Sequence, residues 1–271
     1  MDNLFSLFGY QFFQNALLGA VLTSLLAAMI GTYIVSRKIV FISGGITHAS
    51  FGGIGMAYYF GVNPFLGAVL FAVATSLGIE WISTKGRVRE DSAIAILWSL
   101  GMALGIIFVF LTPGYTPNLM SFLFGSILSI GQVDLWVMFG VLVFTALFFI
   151  FFFRPLIYTA FDPDFARTRG VPVTLIRNIM AVLVAMAIVL STMGIILVLS
   201  LFTIPQNTAL LFRNNFREIV WGSVLFGSTG SVVGLLLAAW LDIPGGAAII
   251  FVLTLQFLFC KGALIIKRRL S

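Results

Sequence analysis

The chain holds one histidine, His48. It lies about ten residues after Lys38, roughly 15 Å along a helix, near the middle of an apolar run of bilayer length. An ionisable group at such depth costs several kcal/mol unless it has a partner or a use. A neutral imidazole has two ways to meet that cost: a hydrogen bond across a helix interface, or transient ligation of a borderline divalent metal. One imidazole is not a metal site, because zinc or manganese wants three or more donors. The other donors at membrane depth are Met193, Cys260, backbone carbonyls, or a second copy of His48 across a two-fold axis. Helical spacing sets Gly44, Gly45, Gly52 and Gly55 on or beside the face of His48, so that face can pack tightly on another helix or line a conduit.

The remaining polar residues read more locally. Glu80, beside Trp81 near the end of an apolar run, reads as interfacial, and Glu90 and Asp91 read as the acidic first turn of a helix beside Arg87 and Arg89. Asp162, Pro163 and Asp164 open a polar stretch that contains Arg167 and Arg169 and ends at Gly170, either a solvated loop or a short surface helix that meets a cytoplasmic partner. From Gly194 an apolar run flows into Ile204, Pro205, Gln206, Asn207 and Thr208, then Arg213, Arg217 and Glu218. Pro205 removes a helix hydrogen bond, so this break is a structural kink, a mobile joint or a pore lining. Cys260 is the only cysteine, which excludes an internal disulfide, and no Gly-Lys-Ser/Thr phosphate loop is present.

These residues must be carried by helices in a bilayer. With 61% of 271 residues hydrophobic and 9% charged, the chain is a series of apolar runs cut by basic clusters, and all fifteen Lys and Arg can be placed on one side of a membrane. The net charge of +6 therefore marks topology and not a nucleic-acid surface. Apolar runs of about 20 residues predict spans at 12–35, 39–60, 64–83, 92–112, 133–153, 219–240 and 246–266. The run from Asn178 to Phe212 is too long for one span, and a hairpin turning near Ser191 to Gly194 keeps Arg213, Arg217 and the terminal cations inside. The expected fold is all-α and polytopic, a single transmembrane domain over 1–271. It has nine spans (eight on the other count), N-terminus outside, C-terminus inside, and a short re-entrant or surface helix near 119–130.

In these segments the sequence resembles the permease subunits of ABC transporters that import zinc, manganese or iron with a metal-binding receptor, the ABC-3 family. SRKIVFISGGITHASFGGIGMAYYFG is similar to that family's second-helix motif, with His48 in the place of its histidine. EDSAIAILWSLGMALGIIFV, FDPDFARTRGVP and GIILVLSLFTIPQNTALL match three further blocks in order, so the resemblance covers almost the whole chain. The family commonly has Asp four residues before the histidine, where this chain has Gly44. The carboxylate would then come from another residue or another permease chain.

The resemblance implies a subunit of a prokaryotic inner (plasma) membrane that binds no permanent cofactor and passes a divalent metal ion. Its partners would be a second copy or a related permease, a pair of cytoplasmic ATP-binding subunits and an extracytoplasmic metal-binding receptor. The expected path is His48, Gly44, Gly45, Gly52, Gly55 and Pro205. The expected ATPase contacts are Asp162, Asp164 and Arg167 together with Gln206, Asn207, Arg213, Arg217 and Glu218, the second segment being the main one. The competing reading is a stand-alone cation channel or secondary transporter with His48 as a proton relay, and a membrane-embedded enzyme would need paired acids at membrane depth that the sequence does not display.

Overall fold

Helix ends follow local chemistry along this chain. In the computed structural model, residues 8–113, 130–190 and 195–270 are described, and every regular element among them is an α-helix. These are α1 (Gln11–Ser36), α2 (Phe41–Phe60), α3 (Pro64–Lys85), α4 (Glu90–Leu111), α5 (Gln132–Phe151), α6 (Phe153–Phe161), α7 (Pro163–Thr168), α8 (Val173–Leu190), α9 (Ile195–Leu201), α10 (Ile204–Leu210), α11 (Phe216–Leu241) and α12 (Gly245–Leu270). Gly61 ends α2 in the left-handed region at φ 67°, where its N–H reaches the carbonyls of Ala57 and Tyr58. Asn63 then caps α3 by accepting from the Phe65 N–H at 2.8 Å, and Pro64 occupies the first turn, where a missing N–H costs nothing.

Six helices, α1, α3, α4, α5, α11 and α12, are long and apolar enough to cross a membrane, and each falls on one of the expected spans. The seventh expected span, 39–60, is the 20-residue α2. Its glycines, hydroxyls and His48 lower its hydropathy, and most of it is buried inside the protein, where lipid solubility is not required. The overlong run after Asn178 is carried by α8 and by α9 with α10, on either side of residues 191–194. The expected turn at Ser191 to Gly194, and the expected segment near 119–130 apart from Ile130, lie outside the described residues.

The chain divides into two compact, interleaved units. One comprises 1–35, 124–143 and 191–271; within it α11 packs on α12, and α10 packs on both. The other comprises 36–123 and 144–190; there α2 is the central helix, covered by α3 and α4, with α8 against α3. Buried hydroxyls on the helices donate to carbonyls of their own preceding turn, as Ser24 does to Ala20, Thr32 to Ala28 and Ser223 to Ile219. This satisfies a donor that hydrocarbon cannot. Large apolar side chains point outward, Phe110 at 90% exposure and Phe259 at 79%, which suits lipid and not water. The chain is a multi-pass membrane protein.

Candidate functional site

His48 sits half-buried in α2, and its ring lies flat on the indole of Trp98 from α4, with centroids 4.4 Å apart and planes within 11°. One ring face is thereby fixed against an aromatic wall. Its Nδ1 is buried and makes no hydrogen bond among the described residues. The ring is held by packing on Trp98.

The glycines of α2 explain how α4 comes so near. A Cβ on Gly52 would lie 2.7 Å from the Gly101 carbonyl oxygen, and one on Gly55 would lie 2.5 Å from that of Gly105. Conversely, a Cβ on Gly101 would meet the Ala49 Cα at 2.5 Å, and one on Gly45 would meet Ile94 at the same distance. At Gly52, Gly55 and Gly101 this is backbone-on-backbone packing of small residues, while Gly45 receives the Ile94 side chain. The two options the spacing left open are thus resolved: the faces of Gly45, Gly52 and Gly55 press on α4 and do not border open space. Gly44, one turn before His48, is buried as well.

Within the same unit, Arg37, Glu80, Glu90 and Arg177 form a closed ring of charge. Arg37 pairs with Glu80 at 3.4 Å and also with Glu90, while Arg177 pairs with Glu90 at 2.6 Å and also with Glu80. Three of the side chains are only 9–11% exposed, so water screens them little, and Glu90 at 28% is the most open. In a simple pair so buried, the loss of one partner costs about 3–5 kcal/mol because the other charge is left bare; here each charge holds a second partner, so the cost is smaller. Glu80 is therefore not a solvated interfacial group, and Glu90 is more than the acidic first turn of α4. Arg89 and Asp91 pair at 3.8 Å outside this ring, both exposed.

The polar stretch from Asp162 folds as the short helix α7. Asp162 caps it by accepting from the Phe165 N–H at 2.9 Å, and Asp164 pairs with Arg167 at 2.6 Å on its exposed side. Ala166, fully buried, tethers it from below, and Gly170 at φ 73° turns the chain towards α8.

In the other unit the break at Pro205 is a helix start. Pro205 falls in the first turn of α10, and its missing N–H leaves the Leu201 carbonyl without its usual donor. Gln206 replaces that donor: its Nε2 reaches Leu201 O at 3.2 Å and Ala27 O at 2.6 Å. Gly31 on α1 makes room, since a Cβ there would lie 2.5 Å from that nitrogen. Gln206, expected as a contact to the ATPase, is 0% exposed within its own unit, and Pro205, Thr208 and Ala209 are buried. Asn207 is half-buried and donates to the Thr203 carbonyl at 2.8 Å. Arg213, Arg217 and Glu218 are exposed, with Arg213 and Glu218 paired at 3.3 Å beside a groove of about 560 Å³ that Phe212, Trp221 and Leu225 also line.

His48 with its glycines and the ring of four charges thus belong to one unit, and Pro205 with Gln206 to the other. Among the described residues no three His, Cys, Asp or Glu side chains converge as a metal cage. Sequence reasoning missed Trp98 and the charge ring. The signal for Trp98 was the Gly101 and Gly105 pair on α4, which matches the small face of α2.

A bundle of apolar helices with one histidine at depth has the form of a membrane transport subunit. Over residues 9–262 the sequence matches the ABC 3 transport family, and the chain belongs to that family. It is 35% identical to the manganese transport system membrane protein MntC of Halalkalibacterium halodurans over 93% of this chain and 87% of the relative. It is 32% identical to the manganese import system permease protein ScaB of Streptococcus parasanguinis, covering 92% and 89%. Among solved structures, PsaBC from Streptococcus pneumoniae in complex with Fab superposes with a TM-score of 0.80 at 30% identity, covering 93% of this chain and 91% of that one.

Proposed function

We propose that the chain, as one permease domain over 1–271, forms half of a paired transmembrane pore that imports a divalent metal, manganese first among zinc, manganese and iron. A pair of cytoplasmic ATP-binding subunits supplies the work, an extracytoplasmic receptor delivers the ion, and a second copy or a related permease completes the pore. Nine spans with the N-terminus outside and the C-terminus inside put every basic cluster on the cytoplasmic face. The observation that carries this reading is His48, seated on Trp98 with a buried, unpaired Nδ1, in a chain whose relatives are named for manganese transport. Manganese sits at the weakly bound end of the divalent series and accepts imidazole together with carbonyl and water oxygens, which suits an ion that must leave again.

In this reading Gly45, Gly52 and Gly55 are spacers that bring α4 and Trp98 up to His48, and Gly44 leaves room one turn away. The main ATPase contact is α7, because its polar side is exposed while Gln206 is buried; Arg213, Arg217 and Glu218 make a second contact. The test is manganese uptake by proteoliposomes that hold the chain with its ATPase and loaded receptor. His48→Ala lowers uptake by about tenfold, the worth of about 1.4 kcal/mol of lost ligation, with ATPase co-purification unchanged. Wild-type uptake in that variant refutes the role of His48. Paired Arg167→Glu and Arg169→Glu releases the ATPase from the membrane, and unaltered co-purification refutes α7 as the main contact.

A further inference from the structure

We propose that Arg37, Glu80, Glu90 and Arg177 are positioning residues that form the joint through which movement of α7 reaches α4, and so the Trp98 ring on His48. The proposal rests on α7 as the ATPase contact. The connectivity is short at every step. Arg177 stands in the early part of α8, which follows α7 after the Gly170 turn, and α8 packs on both α7 and α3. Its guanidinium holds Glu80 on α3 and Glu90 at the first residue of α4. Trp98 lies about two turns further along α4, so a shift of the Glu90 end moves the indole with it.

The pattern of pairing favours a joint over a fixed clamp. Each arginine contacts both carboxylates and each carboxylate contacts both arginines. When one of the four contacts opens, every charge keeps an opposite partner, so α3, α4 and α8 can slide without leaving a bare ion in a poorly hydrated place. An apolar cluster of the same volume holds helices together equally well. It does not supply two discrete paired arrangements with a barrier between them, the property that turns a small displacement into a switch. Two arginines and two carboxylates also leave the site neutral, which limits the penalty of holding it away from water.

The experiment uses the full complex with its ATPase and receptor, and reads manganese taken up per ATP hydrolysed. The variant Arg37→Met, Glu80→Leu, Glu90→Leu and Arg177→Met replaces the ring by apolar groups of similar volume. Glu80→Gln is the milder second variant, in which both arginines keep Glu90. In each variant the complex assembles and hydrolyses ATP, while the manganese-to-ATP ratio falls at least about fivefold, the lower end of ordinary coupling between sites. A wild-type ratio in either assembled variant overturns the inference, because a merely structural ring would allow it. Failure of the reading beneath it looks different: the ATPase then stays bound when α7 itself is substituted, whatever the ratio in the ring variants.

Discussion

Alanine at Gly52 or Gly55 separates a packing glycine from a channel glycine. The added methyl on Gly55 would stand 2.5 Å from the Gly105 carbonyl oxygen and 2.8 Å from its Cα, and that on Gly52 2.7 Å from the Gly101 oxygen, against an ordinary contact of 3.4 Å or more. Both obstacles are backbone, so no rotamer change relieves them. Helix α4 has to retreat by about 0.7–0.9 Å, and a gap of that size forfeits a quarter to a half of the attraction of the contacts it opens. Overpacking of this kind costs about 1–3 kcal/mol, and the better helix propensity of alanine returns about 1 kcal/mol, leaving about 0–2 kcal/mol of net loss per site. Gly140 and Gly262 have no heavy atom within 4 Å of the added Cβ and serve as controls, where the same change gains up to about 1 kcal/mol. Because the propensity gain is common to both, the two classes should differ by the overpacking cost of about 1–3 kcal/mol, on the order of 5 °C in the midpoint of heat-induced loss of the monodisperse peak in detergent. Equal midpoints for Gly55→Ala and Gly262→Ala would show that these glycines face open space, and the packing argument would be wrong.

Three further outcomes are expected. Cysteines at Val62 and Ile243, both exposed, react with an impermeant thiol reagent added outside intact cells while one at Asn214 does not; labelling of Asn214 from outside would remove the nine-span topology. Gln206→Leu, although more apolar, destabilises the protein by about 1–3 kcal/mol because the Leu201 carbonyl loses the donor that stands in for the Pro205 N–H; a neutral or stabilising result in the same heating assay would contradict that account. Gly44→Asp restores a carboxylate one turn before His48, so manganese retention by the purified complex tightens and turnover slows; unchanged retention would mean that Gly44 does not border the ion.

The legibility of this chain follows from how much each feature depends on local sequence. Hydrocarbon thickness alone dictates the length of α1, α3, α4, α5, α11 and α12, so their positions could be read from apolar runs, and the break at Pro205 was visible because a missing N–H is written in the sequence. Helix α2 was found as a span even though its hydropathy is diluted by glycine and serine. What faces its glycines could not be read from α2 at all. The spacing of Gly52 and Gly55 states that one face is bare, but a bare face meets water or backbone equally well until Gly101 and Gly105 on α4 are seen to match it. The burial of Gln206 was hidden for a similar reason: an amide next to a proline reads as a polar loop unless the Leu201 carbonyl it must serve is counted.

The charge ring is not legible in the local sequence. Against their chain neighbours alone, an interfacial residue and an acidic first turn are sufficient explanations of Glu80 and Glu90. Their partners lie 43 residues away for Arg37 with Glu80 and 87 away for Arg177 with Glu90. Distance along the chain is a poor guide here, because a chain that crosses a membrane repeatedly returns its helix ends to the same two faces. If every arginine gathers at one face, a carboxylate at a helix end on that face lies among several of them, and packing then selects which become buried partners. Arg37 and Arg177 are the ones withdrawn from solvent, while Arg89, Arg167 and Arg213 remain exposed in their ion pairs. The same bookkeeping that assigns topology therefore also nominates the buried ion pairs, provided that the acids are entered beside the bases.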